Sequence, residues 1–155
     1  MTSVTASHLA TAKNCGMQFA KEVRSYRDLI VWQKEFDLVA HIYECTQRFP
    51  REELYGLVSQ LRRAAVSVPS NIAEGHSRVS TGEFRQFLGH AQGSLVEIET
   101  QLLIANRLRY INADETAKLL RHRDEIGRML TGLLRSLPER RSARTHHTIP
   151  TRAGS

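Results

Sequence analysis

The 155-residue chain has little of what many catalytic and secreted proteins depend on. It carries two cysteines, Cys15 and Cys45, and 6% aromatic residues with a single tryptophan. Two cysteines build no disulfide framework and fit no zinc-ligand spacing, so a reduced, cytoplasmic chain is expected. The longest apolar runs are four residues, such as Leu29-Ile30-Val31-Trp32, so no segment spans a bilayer and no membrane partner is expected. The opening residues lack a basic start and an apolar signal core, which argues against secretion.

Motifs that carry chemistry are missing too. No glycine-rich phosphate loop of either common spacing occurs. No Glu-x-x-His pair exists to build a di-iron bundle site, and there is no His-Glu-x-x-His. Glu97 and Glu99 are two apart, so on a helix they point to different sides and form no acid–base pair. His146-His147 is read as a solvated tail pair before a weak metal site. No catalytic residue, metal site or cofactor is therefore expected.

The net charge is +6 with an isoelectric point near 9.8. It is unevenly placed. Residues 25–137 hold fifteen basic against fourteen acidic side chains, and the two flanks carry most of the excess. Solubilising tails are one reading of those flanks, and basic arms that touch phosphates are the other.

A helical period dominates the middle of the chain. Residues 1–24 show no sustained pattern and are expected to be a disordered extension; residues 138–155 are expected to be a disordered basic tail. Between them, residues 25–137 read as four amphipathic helices. The first presents Leu29, Trp32, Phe36, Val39 and Tyr43 as its apolar stripe. Pro50 ends it and opens the second, which carries Leu54, Leu57, Leu61, Ala64, Ala65, Val68 and Ile72 and a predicted kink at Pro69. Gly75 weakens the end of that helix, where Glu74 and Arg78 are spaced for an ion pair. Ser80 and Glu83 form a capping box for a third helix of roughly 28 residues, ~42 Å at ~1.5 Å per residue. Gly89 and Gly93, four apart, leave a small patch where another helix could approach. Asn112 and Glu115 start the fourth helix, with Asp114–Lys118 and Asp124–Arg128 spaced as surface pairs, and Pro138 stops it. Short links imply an all-α, antiparallel up-down-up-down four-helix bundle.

Several stretches go beyond pattern. Asp28-Leu29-Ile30-Val31-Trp32-Gln33-Lys34 is followed by Phe49-Pro50-Arg51-Glu52-Glu53-Leu54-Tyr55-Gly56-Leu57. Then come Ser59-Gln60-Leu61-Arg62-Arg63-Ala64-Ala65, Val68-Pro69-Ser70-Asn71-Ile72-Ala73-Glu74-Gly75 and Gly93-Ser94-Leu95-Val96-Glu97-Ile98-Glu99. Over about residues 25–137 the chain resembles the bacterial four helix bundle protein family, also called the 23S ribosomal RNA intervening-sequence proteins. The resemblance implies an oligomerising bundle, commonly a homo-pentamer, with no known enzyme activity. A similar bundle serves diversity-generating retroelements as an accessory protein that binds reverse transcriptase and nucleic acid. By that analogy RNA or DNA and a reverse transcriptase are candidate partners here.

Two sets of residues are candidates for these roles. Arg62 and Arg63 are read either as ion-pair partners, with Glu97 or Glu99 of another helix or subunit, or as phosphate contacts. Arg107, Arg109, Arg121 and Arg123 bracket the turn between the last two helices as the densest basic patch, and Arg140 and Arg141 extend it into the tail. Trp32, Tyr55, Gln60, Asn71 and Glu74 are candidates for a subunit interface; Asn71 and Glu74 also suit a structural role beside the proline.

Overall fold

A computed structural model of the chain describes residues 24–138. The readings of residues 1–23 and 139–155, including Arg140, Arg141, His146 and His147, fall outside the described residues. Four helices make up the fold: α1 (Ile30–Thr46), α2 (Leu57–His76), α3 (Thr81–Arg107) and α4 (Ala113–Ser136). There is no strand among the described residues. Each helix packs on the next in sequence, and α1 also packs on α4, which closes a four-helix bundle. The core includes Leu38 and Ile42 from α1, Leu61, Val68 and Ile72 from α2, Leu88, Ile98 and Leu102 from α3, and Ile126 and Leu130 from α4.

The helix starts follow local hydrogen-bond chemistry. Ser80 accepts from the Glu83 backbone N–H at 3.2 Å, and Asn112 accepts from that of Glu115 at 2.8 Å. The Ser80 box is not reciprocal as expected: the Glu83 carboxylate accepts from the Ser80 hydroxyl at 2.7 Å and not from the Ser80 backbone N–H. The second helix starts later than Pro50 suggests. Pro50 opens a 3-10 turn, Arg51–Glu53, and α2 begins at Leu57. The Glu53 carboxylate then does a cap's work from four residues away, accepting from the Leu57 N–H at 3.0 Å and from the Tyr110 hydroxyl at 3.1 Å.

α2 runs continuously through the buried Pro69. Beside it, Ser70 donates to the Val66 carbonyl and Asn71 to the Ser67 carbonyl, both at 2.8 Å; the carbonyl that the missing N–H leaves free is that of Ala65, one residue earlier. Gly75 stands one residue before His76, the last residue of α2. It is buried within α2, and a Cβ there would sit 2.6 Å from Cβ of Phe87 and 2.9 Å from Cδ2 of Phe84. Its bare backbone lets α3 approach. Gly89 and Gly93 have nothing within 4 Å of an added Cβ, so neither serves packing inside the protomer. At the far end, Arg85 of α3 donates to the carbonyls of Leu134 (2.8 Å) and Leu137 (3.2 Å), capping the end of α4.

The largest correction concerns α1. Its buried face is Val31, Glu35, Leu38, Ile42 and Cys45, one step round from the expected stripe. Of that stripe only Leu29 is buried; Trp32 and Val39 are half-buried, and Phe36 and Tyr43 are exposed. A glutamate interrupts the true core face, so the aromatic face makes the cleaner apolar pattern. Of the expected surface pairs, Glu74–Arg78 forms. Asp124 pairs with Arg123 instead of Arg128 at 2.8 Å, and Asp114–Lys118 is not among the ion pairs of the described residues.

Candidate functional site

Two surfaces and one seam hold the remaining chemistry. The first surface is apolar and aromatic, on α1 and α2. Trp32 stands edge-on to Phe36 (4.6 Å between ring centroids) and to Tyr26 (5.0 Å). With Val39, Val66 and Pro69 these rings line a shallow groove of about 260 Å³. A broader groove of about 1160 Å³ lies along the outer side of α2, bounded by Tyr43 of α1 and by Glu97 and Gln101 of α3. Leu54, Val66 and Tyr43 are exposed there, and Tyr55 is 91% exposed. Gln60 and Arg63 line the same groove and are exposed.

The expected interface set thus divides. Trp32, Tyr55 and Gln60 face this surface. Asn71 is half-buried and turned inward, where its amide bonds Ser67 Oγ at 2.9 Å and Ser94 Oγ donates to that same oxygen at 2.9 Å. Glu74 is held by Arg78.

The basic residues divide in the same way. Arg62 is committed within the chain: its Nε donates to Thr46 Oγ1 at 2.8 Å, and its guanidinium lies 4.6 Å from the Tyr43 ring centroid. It pairs with neither Glu97 nor Glu99 of its own chain. The arginine that engages Glu99 is Arg123, at 2.6 Å, and it also donates to the Leu95 carbonyl at 3.1 Å. Leu95 lies twelve residues before Arg107, about 18 Å along α3, so Arg123 does not belong to the turn.

Arg107 and Arg109 do lie at the turn and are exposed; Arg121 is exposed on α4. Arg109 takes a left-handed backbone (φ 63°). The Arg109 N–H bonds the Asn106 carbonyl and the Tyr110 N–H bonds the Ala105 carbonyl, both at 2.9 Å, a Schellman end that favours glycine at the arginine's position. Two further arginines of α4 are exposed: Arg128, whose expected pairing with Asp124 does not form, and Arg135, which no motif singles out. Their signal is the seven-residue interval from Arg121.

The seam lies between α1 and α4. His41 and His122 stand 5.7 Å apart, ring to ring, over a cavity of about 430 Å³ whose wall includes Cys45. Burial and then His41 hold the His122 pKa below its ordinary value. Burial pushes the Cys45 thiol up to about 11, with Glu115 adding to it, so the sulfur is a poor nucleophile. Among the described residues no three His, Cys, Asp or Glu side chains are placed to hold a metal ion. Beneath α1 lies the most perturbed acid, which pattern reading passed over. Glu35 is fully buried, neither carboxyl oxygen has a hydrogen-bond partner, and desolvation raises its pKa to about 8.

The model of the 23S rRNA-intervening sequence proteins matches residues 27–132, a span that takes in all of α1, α2 and α3 and most of α4. The chain belongs to this family. Among solved structures, this 23S rRNA-intervening sequence protein is similar to a protein of unknown function from the S23 ribosomal protein family of Bacteroides thetaiotaomicron. The TM-score is 0.64 at 21% identity, covering 69% of this chain and 96% of that one, which supports the shared fold. No curated protein matches the chain. Among the described residues of this family member, no helix is long and apolar enough to cross a membrane.

Proposed function

We propose that this protein acts without catalysis, as a homo-oligomeric helical scaffold or adaptor. The observation that carries this reading is the apolar face of α1 and α2. Phe36 is 52% exposed and Tyr55 91%, with Tyr43, Leu54 and Val66 around them. Contiguous exposed aromatic and aliphatic side chains mark an association surface, since water-facing apolar area of this kind is costly to keep. The family resemblance makes a pentameric ring the expected assembly. Light scattering at micromolar concentration tests it. The full chain is expected to run as an oligomer, and Phe36→Glu with Tyr55→Glu as a protomer of unchanged helical content. A strictly monomeric wild-type protein overturns the reading.

A second reading, an accessory protein that binds RNA or DNA, is favoured by Arg109. Glycine would occupy its left-handed backbone at lower cost, yet an exposed arginine stands there beside Arg107. Binding that weakens steeply with added salt would support this reading, because released counterions drive phosphate contact.

A further inference from the structure

The unpaired positive charge of the bundle is not confined to the turn. Arg121, Arg128 and Arg135 recur every seven residues of α4, so they share one ridge, about 10 Å apart and about 21 Å end to end. All three are exposed. None makes an ion pair among the described residues. The acids nearest in sequence are occupied elsewhere: Lys34 of α1 holds Glu125, and Arg123 holds Asp124.

A groove of about 800 Å³ runs beside this ridge, between α3 and α4. Arg123, Arg128 and Arg135 line it against the single acid Asp124. Its floor includes the bare backbones of Gly127 and Gly132. An added Cβ would meet only Leu95 Cδ1, at 3.9 Å, from Gly127 and nothing within 4 Å from Gly132. Helix-interior glycine costs about 1 kcal/mol relative to alanine, and packing inside the protomer gives no return for these two. No aromatic side chain lines the groove, so nothing there can stack on an unpaired base. What remains is recognition of phosphates, by arginines on a straight, rigid helix. That arrangement suits a stiff rod of charge better than a flexible strand or peptide.

We propose that the α3–α4 groove docks the sugar–phosphate backbone of a nucleic-acid duplex, with Arg121, Arg128 and Arg135 contacting phosphates. The proposal rests on the nucleic-acid reading above and assigns it a face away from the turn. The contact is expected to be independent of base sequence, since bonds to phosphates position a duplex and carry no base identity.

Fluorescence anisotropy tests it, using the full chain and a labelled mixed-sequence duplex across a range of salt. Arg128→Gln with Arg135→Gln is expected to weaken binding about tenfold or more at low salt and to reduce the log–log salt slope by about 1.8, two phosphate contacts' worth. Both positions are exposed, and an unchanged melting temperature confirms the fold. Arg107→Gln with Arg109→Gln is expected to change the affinity less. The labelled single strand is expected to bind more weakly than the duplex, and polyglutamate at equal charge to compete poorly.

Duplex binding that ignores Arg128 and Arg135 but falls with Arg107 and Arg109 overturns the groove and leaves the nucleic-acid reading standing. Equal binding of the single strand, or full displacement by polyglutamate, overturns the duplex assignment. Absence of binding at low salt overturns both the groove and the reading beneath it.

Discussion

Glu35 makes the stability of this bundle depend on pH in a calculable way. Its carboxyl is fully buried inside one protomer, so no partner subunit can reach it, and neither oxygen is hydrogen-bonded. Burial raises its pKa from 4.5 to about 8. Below pH 4.5 both folded and unfolded chains hold the proton, and the group costs nothing by ionisation. Between 4.5 and 8 the unfolded chain releases the proton and the folded one keeps it, so stability falls as pH rises. The loss is about 1.4 kcal/mol per pH unit and about 5 kcal/mol over the whole window. For a domain whose total stability is of order 5–15 kcal/mol, that loss is large.

Urea unfolding at fixed protomer concentration measures it. The window from pH 6.5 to 8 isolates Glu35, where the wild type is expected to lose about 2 kcal/mol. The lowered pKa of His122 acts below 6.5 with the opposite sign, its stability being lost as pH falls, and Cys45 titrates only above 9. Glu35→Gln is expected to flatten the dependence, because an amide carries no proton to release. Glu35→Met is expected to flatten it and to add about 1–3 kcal/mol more, because no buried polar group is left without a partner. A Gln variant that keeps the wild-type slope would refute the assignment.

Other substitutions probe single contacts. Gly75→Ala forces a Cβ to within 2.6 Å of Phe87 and is expected to cost about 1–3 kcal/mol, read as a lowered midpoint of urea unfolding. Arg85→Met removes both donors from the end of α4 and is expected to speed hydrogen exchange in its last turn while the amides of α2 keep their protection. Arg62→Met breaks the tie to Thr46 and the contact with Tyr43. It is expected to destabilise by about 1 kcal/mol with duplex affinity unchanged, and a selective loss of binding would return Arg62 to the phosphate contacts. Arg109→Gly relieves a left-handed non-glycine backbone and is expected to raise stability by about 1 kcal/mol in thermal melts.

Much of the fold can be read from local chemistry. Ser80 and Asn112 announce their helices because a cap needs only a side-chain oxygen three residues ahead of a free N–H. Periodicity locates the buried face of α2, where Leu61, Ala64, Ala65, Val68 and Ile72 all lie in the core. It fails on α1, where two apolar stripes compete and the one with a glutamate is the buried one. Side-chain commitments are less legible. Nothing in the spacing of Arg62 or Arg123 says that Thr46, Leu95 and Glu99 will claim them, because those partners are set by how neighbouring helices meet. Nor does a glycine reveal from sequence whether it is a notch, as Gly75 is, or open surface, as Gly89 and Gly93 are.

The meeting of α2 and α3 has a consequence for how the chain finds its alignment. Small residues such as Ala64, Ala65, Ala91 and Ala105 are buried on these two helices, and surfaces so smooth could slide past one another. Two features act as index marks. One is the Ser94–Ser67–Asn71 hydrogen-bond chain, and the other is the seat of Phe87 against Gly75. They lie about 12 Å apart along α2, at ~1.5 Å per residue. A slip of one helical turn, about 5.4 Å, would strand the serines and press Phe87 on a side chain at once. Two marks on one seam thus turn a pair of helices with many near-equivalent dockings into a pair with one.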